Sequence, residues 1–182
     1  MSDPVSPLKG ASFDGFVQVR EIGPLGMITL RAKDGTAGLA AAVTAATGCP
    51  LPTKRRIERL GDTAAGWMSP DEYLLMVPYA GVGPAMATIA KAMEGQHYLA
   101  VDVSDARAVF RIEGDRSDQV LRKLSPVDFD TLEPGELRRS RAAQVAAAFW
   151  RDGEGFTLVC FRSVAGYVMQ LLSTSARKGS EL

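Results

Sequence analysis

The sequence is poor in the residues from which catalytic and metal sites are usually built. It has one histidine, His97, and two cysteines, Cys49 and Cys160, among 182 residues. Neither cysteine lies in a C-x-x-C pair or beside the histidine, so we expect reduced, buried thiols rather than a zinc or redox site. His97 has no second histidine at ligand spacing, which favours a structural or surface role over catalysis.

Long apolar runs and an excess of charge of one sign are also missing. No apolar run approaches the ~18 residues that span a membrane, and the first residues lack the basic and apolar regions of a signal peptide, so we expect a cytoplasmic protein. Lysine and arginine number 21, as do aspartate and glutamate, and the net charge is zero. This balance argues against a nucleic-acid binder and suits a chain that associates with other subunits.

Sequence motifs for nucleotide binding and acyl transfer are absent or incomplete. There is no P-loop and no G-x-S-x-G, and GVGPAM at 81–86 has methionine where a dinucleotide fingerprint needs its third glycine. A plain helix start is therefore the better interpretation of 81–86. Carboxylates can serve as general bases, but aspartates in loops and caps are common, so we expect none to be catalytic. The candidates are Asp102, Asp105, Asp128 and Asp130.

The spacing of apolar residues and the turn signals predict alternating strands and helices. The predicted helices are 34–47, 81–93, 116–124 and 164–176. The predicted strands are 17–20, 26–31, 63–68, 73–77, 98–103, 106–113, 141–151 and 155–161.

Two parts of the chain share one residue register. Trp67 precedes Tyr73 by six residues, and Trp150 precedes Phe156 by the same spacing. The turn and the helix that follow keep this offset, which indicates an internal duplication of about 80 residues. Further pairs at the same offset are Leu75 with Leu158, Gly83 with Gly166, and Met86 with Met169.

The repeated order of elements predicts an α+β fold. We expect two duplicated ββαββα-like halves with pseudo-two-fold symmetry, each with antiparallel sheet and helices packed on one side. The halves are 16–96 and 97–176, and together they form a single domain over 16–176. We also expect a flexible N-terminal segment over 1–15 and a frayed tail over 177–182.

The stretch GWMSPDEYLLMVP at 66–78 has two interpretations. Its tryptophan, acids and tyrosine could form the wall of a ligand site, or the segment could be a hairpin. The similar stretch FWRDGEGFTLVCF at 149–161 favours the hairpin, with Asp71 and Glu72 as turn residues. Residues 73–77 do not alternate between apolar and polar, which predicts a strand buried on both faces or at the junction between the halves.

Two basic runs, TKRRIER at 53–59 and LRRSR at 137–141, precede the two hairpins at equivalent places. One interpretation is a pair of solvated connections. The other is that their arginines dock an acidic partner surface or an anionic ligand. The candidate partner interface combines these arginines with the two tryptophans. It comprises Arg55, Arg56, Trp67, Arg138, Arg139 and Trp150.

Several stretches together resemble the gamma subunit family of heterotetrameric sarcosine oxidase. They are GFVQVREIGPLGMITLR near the start, CPLP at 49–52, and W-x-x-P-D-E-Y-L-L at 67–75. The chain has Ser69 where that family carries glycine, and Tyr73 where tryptophan is common. The resemblance extends over 16–176. RSDQVLRKLSPVDFDTLEPGE and EGFTLVCF also resemble the folate-binding domains of aminomethyltransferases such as the glycine-cleavage T-protein.

The resemblance implies a complex that oxidatively demethylates sarcosine to glycine, forms hydrogen peroxide and passes the one-carbon unit to tetrahydrofolate. It implies that FAD, FMN, NAD and tetrahydrofolate belong to the other subunits. This chain would be an assembly subunit that binds the alpha, beta and delta subunits and contributes no catalytic, cofactor-binding or metal-ligating residue.

Two other functions stay open at this point. The first is a stand-alone small folate-binding protein or an aminomethyltransferase-like one-carbon transferase. The K-G-C-Y-x-G-Q-E signature of one stand-alone folate-binding branch is absent from the sequence, which argues against that branch. The second is an α+β ligand-binding domain of a different kind.

Overall fold

The computed structural model of the protein describes residues 4–182, which form eleven strands and four α-helices. The helices are α1 (Leu39–Thr47), α2 (Val82–Ala92), α3 (Ser117–Arg122) and α4 (Ala165–Ser175). The strands are β1 (Ser12–Asp14), β2 (Gln18–Ile22), β3 (Gly26–Arg31), β4 (Ile57–Leu60), β5 (Thr63–Ser69), β6 (Glu72–Val77), β7 (Leu99–Asp102), β8 (Arg107–Glu113), β9 (Leu137–Ala142), β10 (Val145–Asp152) and β11 (Gly155–Phe161).

The chain forms two compact units, each built around one antiparallel sheet. The first unit is Leu25–Ser104, and the second unit combines residues 4–24 with Asp105–Leu182. The sheet of the first unit has the order β4-β5-β6-β3-β7, and that of the second unit has the order β1-β2-β8-β11-β10-β9. Apart from β1, the two sheets have the same strand order. Antiparallel sheets with helices confirm the predicted α+β class.

The predicted halves keep their order of elements but exchange their first strands. Strand β2 precedes β3 in the chain, yet it pairs with β8. Strand β7 precedes β8, yet it pairs with β3. The compact units therefore begin and end near Pro24 and Ser104, and not between residues 96 and 97. Each half reads ββαβββα, because a third strand (β4 or β9) lies where the sequence predicted a connection.

The helices of the first unit cover one face of its sheet. Ile28, Leu75, Val43 and Ile89 belong to β3, β6, α1 and α2, and each has 0% exposure in one apolar cluster. Helix α1 begins at Leu39, five residues later than predicted, and Gly48, which follows its last residue, has a left-handed conformation (φ 74°). That conformation suits glycine, which has no Cβ to clash.

The second unit has the equivalent core with larger side chains. Phe110, Phe149 and Phe156 come from β8, β10 and β11 and are fully buried together with Val168 and Leu172 of α4. Burying an aromatic side chain of this size contributes on the order of 1.5–3 kcal/mol. The buried side chains of α4 thus pack against the sheet of the second unit.

The stretch at 66–78 is a hairpin of β5 and β6, and this prediction is confirmed. Trp67 lies opposite Tyr73 across the two strands. Tyr73 and Leu75 face the helix-side core, and Leu74 is also buried (3% exposed) on the other face of β6. The strand is therefore buried on both faces, which accounts for its lack of alternation.

The described part of the N-terminal segment, 4–15, contacts the rest of the second unit, and the predicted flexibility of residues 1–3 lies outside the described part of the chain. Strand β1 pairs with β2. The buried carboxylate of Glu21 accepts hydrogen bonds from Ser6 Oγ (2.9 Å), Leu8 N (3.0 Å) and Gly10 N (2.9 Å). A buried carboxylate needs such donors, because an unpaired charge is costly to desolvate.

The C-terminal tail, for which the sequence predicted a frayed end, makes hydrogen bonds to α3 and to the lysine that follows it. Lys123 Nζ donates to Ser175 O (2.8 Å) and also to the Ser180 carbonyl. Leu182 N donates to Gln119 Oε1 at 2.8 Å. Lys123, which follows α3, thus pairs with a carbonyl at the end of α4 that the helix itself leaves unpaired.

Candidate partner interface

The two basic runs lie largely on edge strands. Strand β4 ends the sheet of the first unit, and β9 ends the sheet of the second unit. The sequence predicted connections here, and only 53–56 is one. Arginines are tolerated in a strand at an edge, where one side of the ladder faces solvent, and they protect that edge from unwanted pairing.

Arg55 and Arg56 differ in how firmly they are fixed. Arg55 is exposed and has a left-handed backbone (φ 61°) in the turn before β4. Arg56 is half-buried, and its carbonyl accepts a hydrogen bond from Trp67 N at 2.9 Å. The Arg55 side chain is therefore the more accessible of the two for a partner.

One arginine of β9 forms an ion pair, and the other two are exposed on the same face of the strand. Arg138 Nε lies 2.7 Å from Glu136 Oε1, and both side chains are largely buried. Arg139 and Arg141 are exposed and lie opposite Ala148 and Ala146 of β10. Our interface prediction omitted Arg141, which strand alternation places on the same face as Arg139.

The two tryptophans are not equivalent in the structure. Trp67 is half-buried against the helix-side core of the first unit. Trp150 is 2% exposed and lies on the sheet face opposite Phe149. An irregularity between Trp67 and Ser69 shifts the register of β5 relative to β6, and a shift of one residue reverses the faces of a strand. That Trp150 contributes to a partner interface stays a prediction, and the burial of its side chain within the chain counts against it.

A row of charged residues crosses the sheet of the second unit. Arg20 Nε lies 2.9 Å from Glu113, and Arg111 bridges Glu113 (3.4 Å) and Asp152 (3.2 Å). The hydrogen bond from Arg20 lowers the pKa of Glu113 below its usual value. Opposite charges are matched along this row, and Arg111 also donates to Thr157 Oγ1 at 3.2 Å. The arrangement stabilises the sheet and presents no unmatched charge.

The candidate general bases serve as turn and ion-pair residues. Asp102 Oδ1 accepts from Ser104 N (2.9 Å) and Ser104 Oγ (2.5 Å). Asp128 Oδ1 accepts from Asp130 N at 3.0 Å. Asp130 lies 2.6 Å from Arg122, and the hydrogen bond from that guanidinium lowers the pKa of Asp130. The contact with Arg122 stabilises the charged form of Asp130, whereas a general base at neutral pH needs a raised pKa.

The two remaining candidates lie between the regular strands and α-helices. Asp105 lies exposed in a short 3-10 turn, and His97 is exposed between α2 and β7. Within 4–182 no three His, Cys, Asp or Glu side chains are grouped so that they could hold a metal ion. No helix of the described residues is both long and apolar enough to cross a membrane.

Comparison with known proteins identifies the family. Residues 31–177 match the model of the sarcosine oxidase gamma subunit family. The sarcosine oxidase gamma subunit of an Arthrobacter species is 34% identical over 146 residues, which are 77% of this chain and 70% of that relative. The corresponding subunit of Corynebacterium sp. strain U-96 is 37% identical over 147 residues, which are 76% of this chain and 68% of that relative.

Solved structures agree with the sequence relatives. A chain of the heterotetrameric sarcosine oxidase from Corynebacterium sp. U-96, in complex with pyrrole 2-carboxylate, superposes with a TM-score of 0.81 and 27% identity, covering 91% of this chain and 87% of that one. The glycine cleavage system aminomethyltransferase T from Bartonella henselae shares the fold, with a TM-score of 0.64 and 16% identity over 87% of this chain and 45% of its own. The chain belongs to the sarcosine oxidase gamma subunit family.

Proposed function

We propose that this chain is a non-catalytic assembly subunit of a cytoplasmic heterotetrameric sarcosine oxidase. The match to the gamma subunit family over 31–177 supports this function, together with the likeness to a chain of a heterotetrameric sarcosine oxidase. In this proposal the alpha, beta and delta subunits are its partners. They hold FAD, FMN, NAD and tetrahydrofolate and oxidise sarcosine to glycine with release of hydrogen peroxide.

The environment of the acidic residues supports a role without catalysis. The aspartates best placed by sequence to act as bases are engaged in turns and ion pairs. Cys160 is 1% exposed, and burial raises the pKa of its thiol to about 12. A buried thiol with a raised pKa is a poor nucleophile at neutral pH, because the thiolate is the reactive form.

Co-expression of the four chains tests the proposal. We expect this chain to purify in equal proportion with the other three, and we expect the isolated chain neither to oxidise sarcosine nor to bind tetrahydrofolate in a calorimetric titration. Saturable binding of tetrahydrofolate by the isolated chain would favour the stand-alone folate protein instead. Purification of a stable, active complex that excludes this chain would contradict the assembly role.

The exposed arginines before and along the edge strands are our proposed contact with the partners. The double variant R55E/R56E should weaken assembly about 10-fold at low salt, since interface charges act through complementarity and are screened by ions. R177E/K178E changes the net charge equally at exposed positions and serves as the control. Equal affinity of both variants for the partners, with unchanged thermal unfolding, would place the interface elsewhere.

A further inference from the structure

Within 4–182 the two sheets have four edges, which differ in how they are protected. The edges are β1, β9, β4 and β7. Strand β1 is only three residues long, β9 carries three arginines, and β4 carries Glu58 and Arg59. Strand β7 (LAVD) has one charge, at its last residue. Natural edge strands are usually kept short, charged or covered, so β7 is the exception among these four.

The exposed side chains of β7 are apolar at alternate positions. Leu99 is 54% exposed and Val101 is 39% exposed. Alternate residues of a strand lie on the same face, where Leu99 and Val101 pair with Arg31 and Thr29 of β3. Together they form a short apolar row at the outer edge of the first unit.

The backbone of β7 offers hydrogen-bonding groups on its outer side. Val103 N donates to Met27 O at 2.8 Å, in register with the ladder between β7 and β3. The direction of the peptide groups alternates along an antiparallel strand, so those of Ala100 and Asp102 point away from β3. No other strand within 4–182 pairs with this side of β7.

We infer that β7 is a docking edge, to which an extended segment of another subunit of the complex adds as a sixth strand. The segment would carry apolar side chains at alternate positions against Leu99 and Val101, with a lysine or arginine beside Asp102. Strand addition of this kind takes affinity from main-chain hydrogen bonds and specificity from alternate side chains. The inference rests on the proposed function, which supplies the partner subunit.

Charge favours a different chain over a second copy as the occupant. Asp102 is exposed, and it is the only ionised residue of the strand. A second copy would present the same LAVD edge, which has no basic residue to pair with that carboxylate. A partner strand with a cation would also gain specificity from the pairing.

Hydrogen exchange of the wild-type chain, measured free and in the four-chain complex, tests the docking edge directly. We expect the Ala100 and Asp102 amides to exchange quickly in the isolated chain and at least about 10-fold more slowly in the complex, because strand pairing protects amides. The Leu99 and Val101 amides, which point toward β3, should be protected in both states. An assembled complex in which Ala100 and Asp102 still exchange quickly overturns the inference and leaves the proposed function standing.

Charged substitutions on the edge provide the second test. L99E/V101K should reduce the affinity of the chain for the other three subunits roughly 10-fold or more, since two apolar contacts are lost. V5K/L182E introduces the same pair of charges at exposed aliphatic residues that lie outside every strand and should assemble normally. D102N, which can still accept from Ser104, should weaken assembly by roughly 1.5- to 5-fold at low salt.

Three further outcomes of these experiments would contradict the docking edge or the proposed function. Equal assembly by L99E/V101K and the control contradicts the docking edge, provided that both variants unfold at the wild-type temperature. Protection of Ala100 and Asp102 in a homodimer of the isolated chain identifies a second copy as the occupant and contradicts the inference. Failure of the wild-type chain to join the complex at all contradicts the proposed function and removes the partner on which the inference rests.

Discussion

Replacing Phe129 with alanine tests whether the loop between α3 and β9 is held by one buried ring. Phe129 is 2% exposed although it lies outside any strand or helix. Its ring stacks on Phe149 (centroids 5.5 Å apart, 12° between planes) and meets the edge of Phe156 at 5.7 Å. Truncating a buried phenylalanine to alanine costs about 3–5 kcal/mol, because apolar contact is lost and a cavity remains.

This loss is large enough to measure by thermal unfolding. For a chain of this size each kcal/mol corresponds to about 2–4 °C, so F129A should lower the Tm by roughly 6–20 °C. Circular dichroism at increasing temperature gives the Tm, and urea unfolding at 25 °C gives the change in unfolding free energy independently. The variant should still fold, because the remaining buried residues of the second-unit core are unchanged.

Phe161 provides the matched control. It is 48% exposed, and the Arg107 guanidinium lies 4.3 Å from its ring centroid. A cation–π contact at an exposed site contributes about 0.5–1 kcal/mol, so F161A should cost no more than about 1 kcal/mol. If F129A costs less than about 1 kcal/mol, or the same as F161A, the ring does not anchor the loop and our reasoning is wrong.

Three further perturbations should have distinct effects. Cys160 should resist alkylation at pH 8 in the native protein, because burial raises its pKa to about 12, and mass spectrometry should find labelling only after unfolding. Glu113 has a folded-state pKa below the ordinary 4.5, so its contribution to the stability of the fold is present above pH 4.5 and is lost as the pH falls through the folded pKa. E113Q should therefore show a shallower loss of Tm below about pH 5 than wild type. The same dependence of Tm on pH in both proteins would exclude a stabilising role for the Glu113 carboxylate. The Cβ of alanine at position 155 would clash with Ile112 O, so G155A should cost roughly 1–3 kcal/mol in urea unfolding, whereas an unchanged midpoint would mean that the backbone yields freely.

The local elements were predictable because their signals are local. The apolar residues of α2 and α4 recur at helical spacing, and both helices are present. The apolar run after Glu72 predicted a strand buried on both faces or at the junction between the halves, and β6 is buried on both faces. The W-x-x-P-D-E-Y-L-L stretch also identified the family, which the comparisons confirm.

The unpredicted features depend on partners far away in the sequence. Nothing within β2 indicates that Val19 pairs with Ile112 of β8 rather than with its neighbour β3. The shared register of the two tryptophans predicted equivalent positions. An irregularity in β5 beside Trp67 instead places the two side chains on different faces of their sheets. The bound N-terminal segment depends on Glu21, whose donors lie in a polar stretch that gave no periodic signal.

The strand exchange has a consequence for the order in which the chain folds. Arg20 of β2 and Glu113 of β8 are 93 residues apart, and closing a flexible loop of that length costs roughly 3 kcal/mol more than closing a tight turn. The intervening Leu25–Ser104 is itself a complete unit, and its end strands β3 and β7 are paired. Folding of this unit brings the two ends of the long loop together before β2 meets β8. We therefore expect the first unit to fold early. Its folding removes most of the loop-closure entropy that would otherwise oppose the pairing of β2 with β8 in the second unit.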